Sequence, residues 1–291
     1  MKSLIAGAGT RSTSDMAIKN SEFDRLLCSR LMEFDSLPST NEYCKSDEIR
    51  GNRIILAHSQ SAGHGRMGRS FSSKSGGLYV SFLYELDDVK PESLLPITGM
   101  CAVAVLRAIK KASGVTPDIK WTNDLLLEGK KICGILAETV FGSSGKPEKL
   151  IIGIGINVNQ HKDCFAGELE GIASSLYLLT GREYDKMLLL RTLAAEIEKV
   201  YFTAFSDNSN GNRISEYTGE YRRHCMTLGK DIHILRPSLS PVGIDPRVAF
   251  AADKSLFPIA KALDIDENFG LIVRHKDGSI ERIVSGEVSV K

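Results

Sequence analysis

Apolar residues recur along this chain in two rhythms, and the change from one to the other divides it. Ile54-Ile55-Leu56 and Leu78-Tyr79-Val80-Ser81-Phe82-Leu83-Tyr84 are short runs rich in β-branched and aromatic residues, which predicts strands. Ile97, Cys101, Ala104, Val105 and Ala108 then fall at i, i+4, i+7, i+8 and i+11, the single apolar stripe of a core-facing helix, with Pro91 suited to its first turn. Leu125-Leu126-Leu127 and the run that Lys131 leads flank Glu128-Gly129-Lys130, a predicted hairpin, and Leu150-Ile151-Ile152-Gly153-Ile154-Gly155-Ile156 reads as a buried strand. A helical stretch is expected over 21–30, a short helical piece within 160–181, and a long helix over 184–205 through Leu188, Leu190, Ala194, Ile197, Tyr201 and Phe205.

Beyond Met226 the texture changes. Runs over 231–235, 259–265, 270–274 and 280–285 are separated by Asp266-Glu267-Asn268-Phe269 and Lys276-Asp277-Gly278, which predicts a small antiparallel barrel. Upstream, strands and helices do not alternate, so the main domain is expected to be α+β around a mixed or antiparallel sheet. The division that follows is a flexible arm over 1–28, a catalytic domain over 29–225 and a barrel over 226–291.

Composition changes this picture little. At 291 residues, 42% of them hydrophobic, the chain can bury a substantial core. Lys plus Arg is 37 against 36 for Asp plus Glu, a net charge of +1, so no overall basic excess points to nucleic acid or an anionic membrane. No unbroken run of 18 apolar residues predicts a membrane span. The six cysteines, at 28, 44, 101, 133, 164 and 225, form neither a C-x-x-C nor a zinc-spaced cluster, which suits scattered thiols in the reducing cytoplasm. The leader before residue 36 is expected to be too short for a helix-turn-helix domain.

Chemistry concentrates in a few stretches. Gly63, Gly65 and Gly68 spell G-x-G-x-x-G after a plausible strand, but Ser70-Phe71-Ser72-Ser73-Lys74-Ser75-Gly76-Gly77 is no helix, so a dinucleotide turn is rejected. Arg66 and Arg69 among glycines instead suit a loop that closes over an anion. Ser39 with Glu42 fits a capping box, while a helix start beside Thr40 and Asn41 also suits a polar ligand. Lys131 leads an apolar strand, either as a solvated edge lysine or as a cation facing a site. Gly134 predicts a bulge or a close ligand. The alternate Gly153 and Gly155 either leave a flat face open to a planar ring or allow close helix packing.

Taken together these stretches resemble the bacterial biotin–protein ligases, the biotin–[acetyl-CoA-carboxylase] ligases, in a monofunctional form without an N-terminal DNA-binding domain. Ser39-Thr40-Asn41, Gln60-x-x-Gly63-x-Gly65-Arg66-x-Gly68-Arg69, Lys120-Trp121-x-Asn123-Asp124, Lys131-x-x-Gly134-Ile135-Leu136, Gly153-x-Gly155-Ile156-Asn157 and Ser285-Gly286-Glu287-Val288-Ser289 occur in the family's order, from Leu37 to Val290. The resemblance implies a class II synthetase-like catalytic domain with an SH3-like C-terminal barrel. It also implies a two-step reaction: biotin and MgATP give biotinyl-5′-adenylate, then a specific lysine of a biotin carboxyl carrier domain takes the biotin.

The resemblance assigns roles as well. Lys131, Arg66 and Arg69 are the implied catalytic cations, each able to supply roughly 2–4 kcal/mol in a closed site. Ser39, Thr40, Asn41, Gln60, His64, Gly65, Arg66, Lys131 and Gly134 are the implied biotin contacts. Arg66, Arg69, Trp121, Asn123, Asp124, Lys131 and Asn157 are the implied ATP and adenylate contacts, with Mg²⁺ arriving on ATP and no fixed protein metal site. A cytoplasmic enzyme that pairs as a homodimer is compatible with the family; nucleic acid and membrane partners are not expected. Three features depart from the family pattern: His64 stands where arginine is common, Thr122 where proline is usual, and the segment 237–258 is longer than expected.

Overall fold

The computed structural model describes residues 22–205, 210–235 and 245–290. The helix read over 21–30 is α1 (Glu22–Arg30); residues 1–21 of the expected arm lie outside the described residues. Leu27 of α1 is buried in the main core and Arg30 is ion-paired with Glu198 at 2.9 Å, so from residue 22 onward the segment assigned to the arm belongs to the main domain.

The main domain runs β1 (Leu31–Phe34), α2 (Thr40–Lys45), β2 (Arg53–Ala57), β3 (Leu78–Glu85), α3 (Ile97–Ser113), β4 (Asp118–Lys120), β5 (Asp124–Leu127), β6 (Lys130–Phe141), β7 (Pro147–Ile156), α4 (Leu176–Thr180), α5 (Lys186–Phe205) and α6 (Asn210–His224). Its seven strands form one mixed sheet in the order β1-β2-β3-β7-β6-β5-β4, parallel only between β1 and β2. Strand alternation sorts side chains to two faces. Leu78, Val80, Phe82 and Tyr84 of β3 and Leu150, Ile152, Ile154 and Ile156 of β7 join α3 and α5 in one large core. The other face carries Leu83, Ile55 and Ile151, covered by Phe34, Leu37 and Cys44 around α2.

The predicted stripe of α3 is buried throughout, and Gly114 ends the helix in the left-handed region at φ 75°. Pro91 opens a separate 3-10 turn, Pro91–Leu94, rather than the first turn of α3. The stretch Pro91–Ser113 has the length and hydropathy to cross a membrane, yet 67% of its most apolar window is buried inside the fold. On α5 the expected Leu188 is 46% exposed, whereas Leu189, Leu193 and Val200 face the core. The polar α6 escaped the sequence reading; Tyr217 and Tyr221 anchor it in the core.

The C-terminal part holds β8 (Asp231–Ile234), α7 (Pro246–Ala252), β9 (Ile259–Ile265), β10 (Leu271–His275), β11 (Ile280–Ile283) and β12 (Val288–Val290). The strands form an antiparallel sheet in the order β11-β10-β9-β8-β12. Of the unexplained segment 237–258, residues 237–244 lie outside the described ones, and the rest contributes α7, whose Phe250 packs edge-on against Phe257. Phe269, in the turn before β10, lies where a Cβ on Gly99 of α3 would stand 2.1 Å from its ring, and its carbonyl accepts the Trp121 indole N–H at 2.9 Å. That contact helps bring the segment before β12 beside the main sheet.

Candidate functional site

A cavity of about 980 Å³, its open mouth included, lies on the sheet face opposite α3 and α5. Its floor starts from α2. Ser39 is the N-cap, accepting the Glu42 N–H, and Ser39, Thr40 and Asn41 are all buried. Only half of the capping box forms, because Glu42 turns outward to Lys45. Gln60 Oε1 accepts the Thr40 backbone N–H at 2.8 Å, and Gln60 Nε2 donates to Ser73 Oγ at 2.7 Å. Asn41 Nδ2 donates to Glu138 at 2.8 Å.

The alternate glycines open onto this face, away from α3 and α5. A Cβ on Gly153 would meet Asn41 Oδ1 at 2.1 Å, and one on Gly155 would meet the Phe71 ring at 2.5 Å. The planar groups on the flat face are therefore the chain's own amide and phenyl ring. Close helix packing accounts for Gly153, which lies against Asn41 of α2, whereas Gly155 makes room for the Phe71 ring of the flap.

Lys131 reaches the cavity through a β-bulge. In the β5–β6 pair Leu125 faces Cys133 and Leu126 faces Lys131, so Ile132 is left without a partner. Ile132 and Cys133 consequently both point into the core, and Lys131 shifts to the face of Gly134 and Leu136, where it lines the cavity. The bulge expected at Gly134 thus sits two residues earlier. Burial raises the Cys133 thiol pKa, as suits a group on the core side. The Lys131 backbone is held by Lys131 N–H to Ile172 O at 2.9 Å and Ser174 N–H to Lys131 O at 3.0 Å. Its Nζ pairs with Asp124 at 2.7 Å and lies 5.8 Å from the Phe71 ring centre.

The glycine loop is a flap that folds back on itself. Gln60 N–H bonds Ser73 O at 3.0 Å, Phe71 N–H bonds Gly63 O at 2.8 Å, and a 3-10 turn over Arg66–Gly68 has left-handed Met67 and Gly68. No helix follows, in line with the rejected dinucleotide reading. Arg66 donates to Thr122 Oγ1, to Asn123 Oδ1 at 3.1 Å and to Gly286 O at 3.3 Å. Burial lowers its pKa, while Asp124 and Glu287 pull the other way. Arg69 is half-exposed, and its Nη2 donates to both Glu287 carboxylate oxygens, at 2.6 and 2.5 Å.

Thirteen sequence-predicted residues converge here: Ser39, Thr40, Asn41, Gln60, His64, Gly65, Arg66, Arg69, Trp121, Asn123, Asp124, Lys131 and Gly134 all line the cavity. Asn157 does not reach it. It is buried behind Lys131, where its Nδ2 lies 3.5 Å from the Lys131 carbonyl and its Oδ1 accepts from Gln160 Nε2. Asn123 has both ends of its amide engaged, by Arg66 and by Ile135 O at 2.6 Å, so it orients the arginine. Sequence reasoning missed Phe71 and Glu287 as cavity residues; Glu287 stood inside a recognised terminal motif, and Phe71 directly follows the arginine loop. Among the described residues no cluster of His, Cys, Asp and Glu is built to hold a metal.

Comparison with known proteins fits this geometry. Residues 32–157 match the profile of the Biotin/lipoate A/B protein ligase family. The bifunctional ligase/repressor BirA of Bacillus subtilis (strain 168) is 31% identical over 266 residues, spanning 89% of this chain and 74% of that protein. The chain belongs to the biotin/lipoate protein ligase family. A second BirA, from Bacillus spizizenii, is 32% identical over 238 residues, and the chain spans 66% of its length. The solved biotin protein ligase from Aquifex aeolicus in complex with biotin and ATP shares this ligase fold at a TM-score of 0.68 and 27% identity, over 90% of this chain and 98% of that one.

Proposed function

We propose that this chain is an ATP-dependent biotin–protein ligase, a biotin–[acetyl-CoA-carboxylase] ligase, that joins biotin to ATP as biotinyl-5′-adenylate and then to a lysine of a biotin carboxyl carrier domain. The observation that carries the reading is one cavity with two chemistries. Neutral hydrogen-bonding side chains, Ser39, Thr40, Asn41 and Gln60, line its floor, and three cations, Lys131, Arg66 and Arg69, stand at its mouth. The floor suits a cyclic urea with one carbonyl and two N–H groups. The mouth suits two anions that must meet.

In the first step a biotin carboxylate oxygen attacks the α-phosphorus of ATP, and pyrophosphate leaves. Repulsion between carboxylate and phosphate opposes that approach. Lys131 and Arg66 offset it and stabilise the charge that develops, and Arg69 takes the departing phosphates. Asp124 keeps Lys131 in place, and Asn123 keeps Arg66 in place. In the second step the neutral amine of the acceptor lysine attacks the acyl carbon, AMP departs, and the amine loses a proton. Trp121, His64, Gly65 and Gly134 shape the walls, and Asn157 supports Lys131 from behind. Closure of the arginine flap keeps water from the mixed anhydride.

Magnesium fits as a passenger on ATP. Asp124 and Glu287 are carboxylates at the cavity, and one or two carboxylates plus substrate phosphates are the usual magnesium environment. Bound there, the ion would neutralise phosphate charge.

The enzyme is placed in the cytoplasm, where ATP and carrier domains are found, and acts without nucleic acid, consistent with a net charge of +1. A homodimer is compatible with β1, which ends the main sheet at one edge. The direct test mixes the protein with ATP, magnesium, biotin and a carrier domain and blots with streptavidin; no labelled band refutes the reading. Biotin is expected to outcompete lipoate in ATP–pyrophosphate exchange. A sequence-specific gel shift at physiological salt would add a repressor function.

A further inference from the structure

Beneath the cavity floor lies a hydroxyl that none of the motifs contains. Ser81 is in the middle of β3, wholly buried, on the strand face opposite Val80 and Phe82. Its Oγ is 2.7 Å from Thr40 Oγ1 and 2.6 Å from Asn41 Oδ1. A serine hydroxyl has one proton to give, and the surrounding bonds decide where it goes. The Asn41 amide is oriented from its other end: Nδ2 donates to Glu138 Oε2 at 2.8 Å and to Leu136 O at 3.3 Å, both pure acceptors. Asn41 Oδ1 therefore faces Ser81 and can only accept. The Ser81 proton belongs to that bond.

Ser81 then offers Thr40 nothing but lone pairs. On the far side of the Thr40 hydroxyl stands Gln60 Oε1, at 3.1 Å. That oxygen is also fixed as an acceptor, because Gln60 Nε2 donates to Ser73 Oγ, which in turn donates to Phe71 O at 3.0 Å. Both internal neighbours of Thr40 accept, so its proton is used inside the protein. What Thr40 and Asn41 turn toward the cavity is oxygen lone pairs.

We infer that Ser81 is a positioning residue for specificity: it sets the polarity of the floor, so that Thr40 and Asn41 form two adjacent acceptors. Such a pair recognises a ring bearing two N–H groups, as in a cyclic urea, and gives no matching partner to a ring without them. The unmet acceptors are what penalise the wrong ring. The inference rests on the biotin reading above.

The test compares the wild-type chain with Ser81→Ala and Ser81→Cys by calorimetry, using biotin, biotin methylated at one ureido nitrogen, and MgATP. Ser81→Ala is expected to weaken biotin roughly tenfold and to shrink the preference for biotin over the methylated analogue by a similar factor, about the value of one buried hydrogen bond. MgATP binding stays within about twofold. Ser81→Cys, a weak donor, falls between serine and alanine. Equal losses for biotin and its analogue, or a Ser81→Cys outside that order, would make Ser81 a packing residue and overturn the inference. Wild-type protein that binds MgATP but no biotin sinks the ligase reading instead, and this inference with it.

Discussion

The floor and the mouth of the cavity are built on opposite plans. At the floor, polar side chains are buried and bonded to one another in a chain that ends on fixed acceptors, the Glu138 carboxylate and the Phe71 carbonyl. It is carried by α2 and the central strands β3 and β7, with little freedom to rearrange. At the mouth, charged side chains extend from a folded-back flap and a bulged strand, and each cation already has a partner. Lys131 has Asp124, Arg69 has Glu287, and Arg66 has backbone and side-chain oxygens. The difference teaches that a neutral ligand is met by a preformed hydrogen-bond pattern. Anionic ligands are met by cations whose charge has been provisionally balanced and must be exchanged.

The mouth is therefore where single substitutions should do most damage. Lys131→Ala is expected to lower adenylate formation by about 10²–10³-fold, the loss typical of one preorganised donor, measured by ATP–pyrophosphate exchange. It should leave biotin's ureido contacts intact, so biotin affinity falls far less than the rate. Equal losses in both would erase the distinction between floor and mouth. Arg66→Gly comes next. It removes the contacts to Thr122, Asn123 and Gly286 that tie the flap to the sheet and the C-terminal segment. Release of adenylate should rise by about tenfold or more, with biotin appearing on unrelated lysines in a streptavidin blot. Adenylate released at the wild-type rate would show that the flap does not retain it.

Much of this architecture was legible in the sequence because it depends on local pattern. The β5–β6 hairpin, the strand over β3 and the short strands of the C-terminal sheet follow from residue type and turn chemistry, and the predicted site residues other than Asn157 converge on one cavity. What was not legible depends on contacts distant in sequence. The bulge at Ile132 takes its register from β5, and no local signal distinguishes it from one at Gly134. Ser81 looks like an ordinary polar interruption in an apolar strand until Thr40 and Asn41, some 40 residues away, are seen to meet it. Helix α6 has a mostly polar sequence with Gly211 and Gly219 in it, and distant contacts secure it: the packing of Tyr217 and Tyr221 and the pair of Glu220 with Arg107.

Glu287 sharpens the idea of provisional balance. Its pair with Arg69 spans more than two hundred residues, but Arg69 is 51% exposed, so the bond contributes only about 0–1 kcal/mol. Glu287→Gln removes the competing charge and is expected to lower the KM for ATP by about twofold to fivefold, with biotin affinity unchanged. A rise in that KM would mean that the carboxylate serves the bound nucleotide, for instance through magnesium, instead of yielding to it.

The smallest effect tests the rigidity of the floor. Cys44 lies in α2, wholly buried beneath the residues that line the cavity, and burial pushes its thiol up from 9.0 to about 12, with Lys149 drawing it down and Glu138 adding to the rise. A raised thiol pKa means that the folded state holds its proton more tightly than the unfolded chain. The stabilising difference is present below the unfolded value and lost as pH climbs from about 9 toward 12, so α2 is expected to loosen only in strong alkali. At pH 8 the thiolate is too scarce, and the sulfur too enclosed, for a maleimide to modify it within the time that labels the partly exposed Cys28 and Cys164. Mass spectrometry of the labelled protein reads the result peptide by peptide. Cys44 labelled as fast as Cys164 would show α2 opening readily, and the floor would then be a pattern that forms around its ligand instead of one that waits for it.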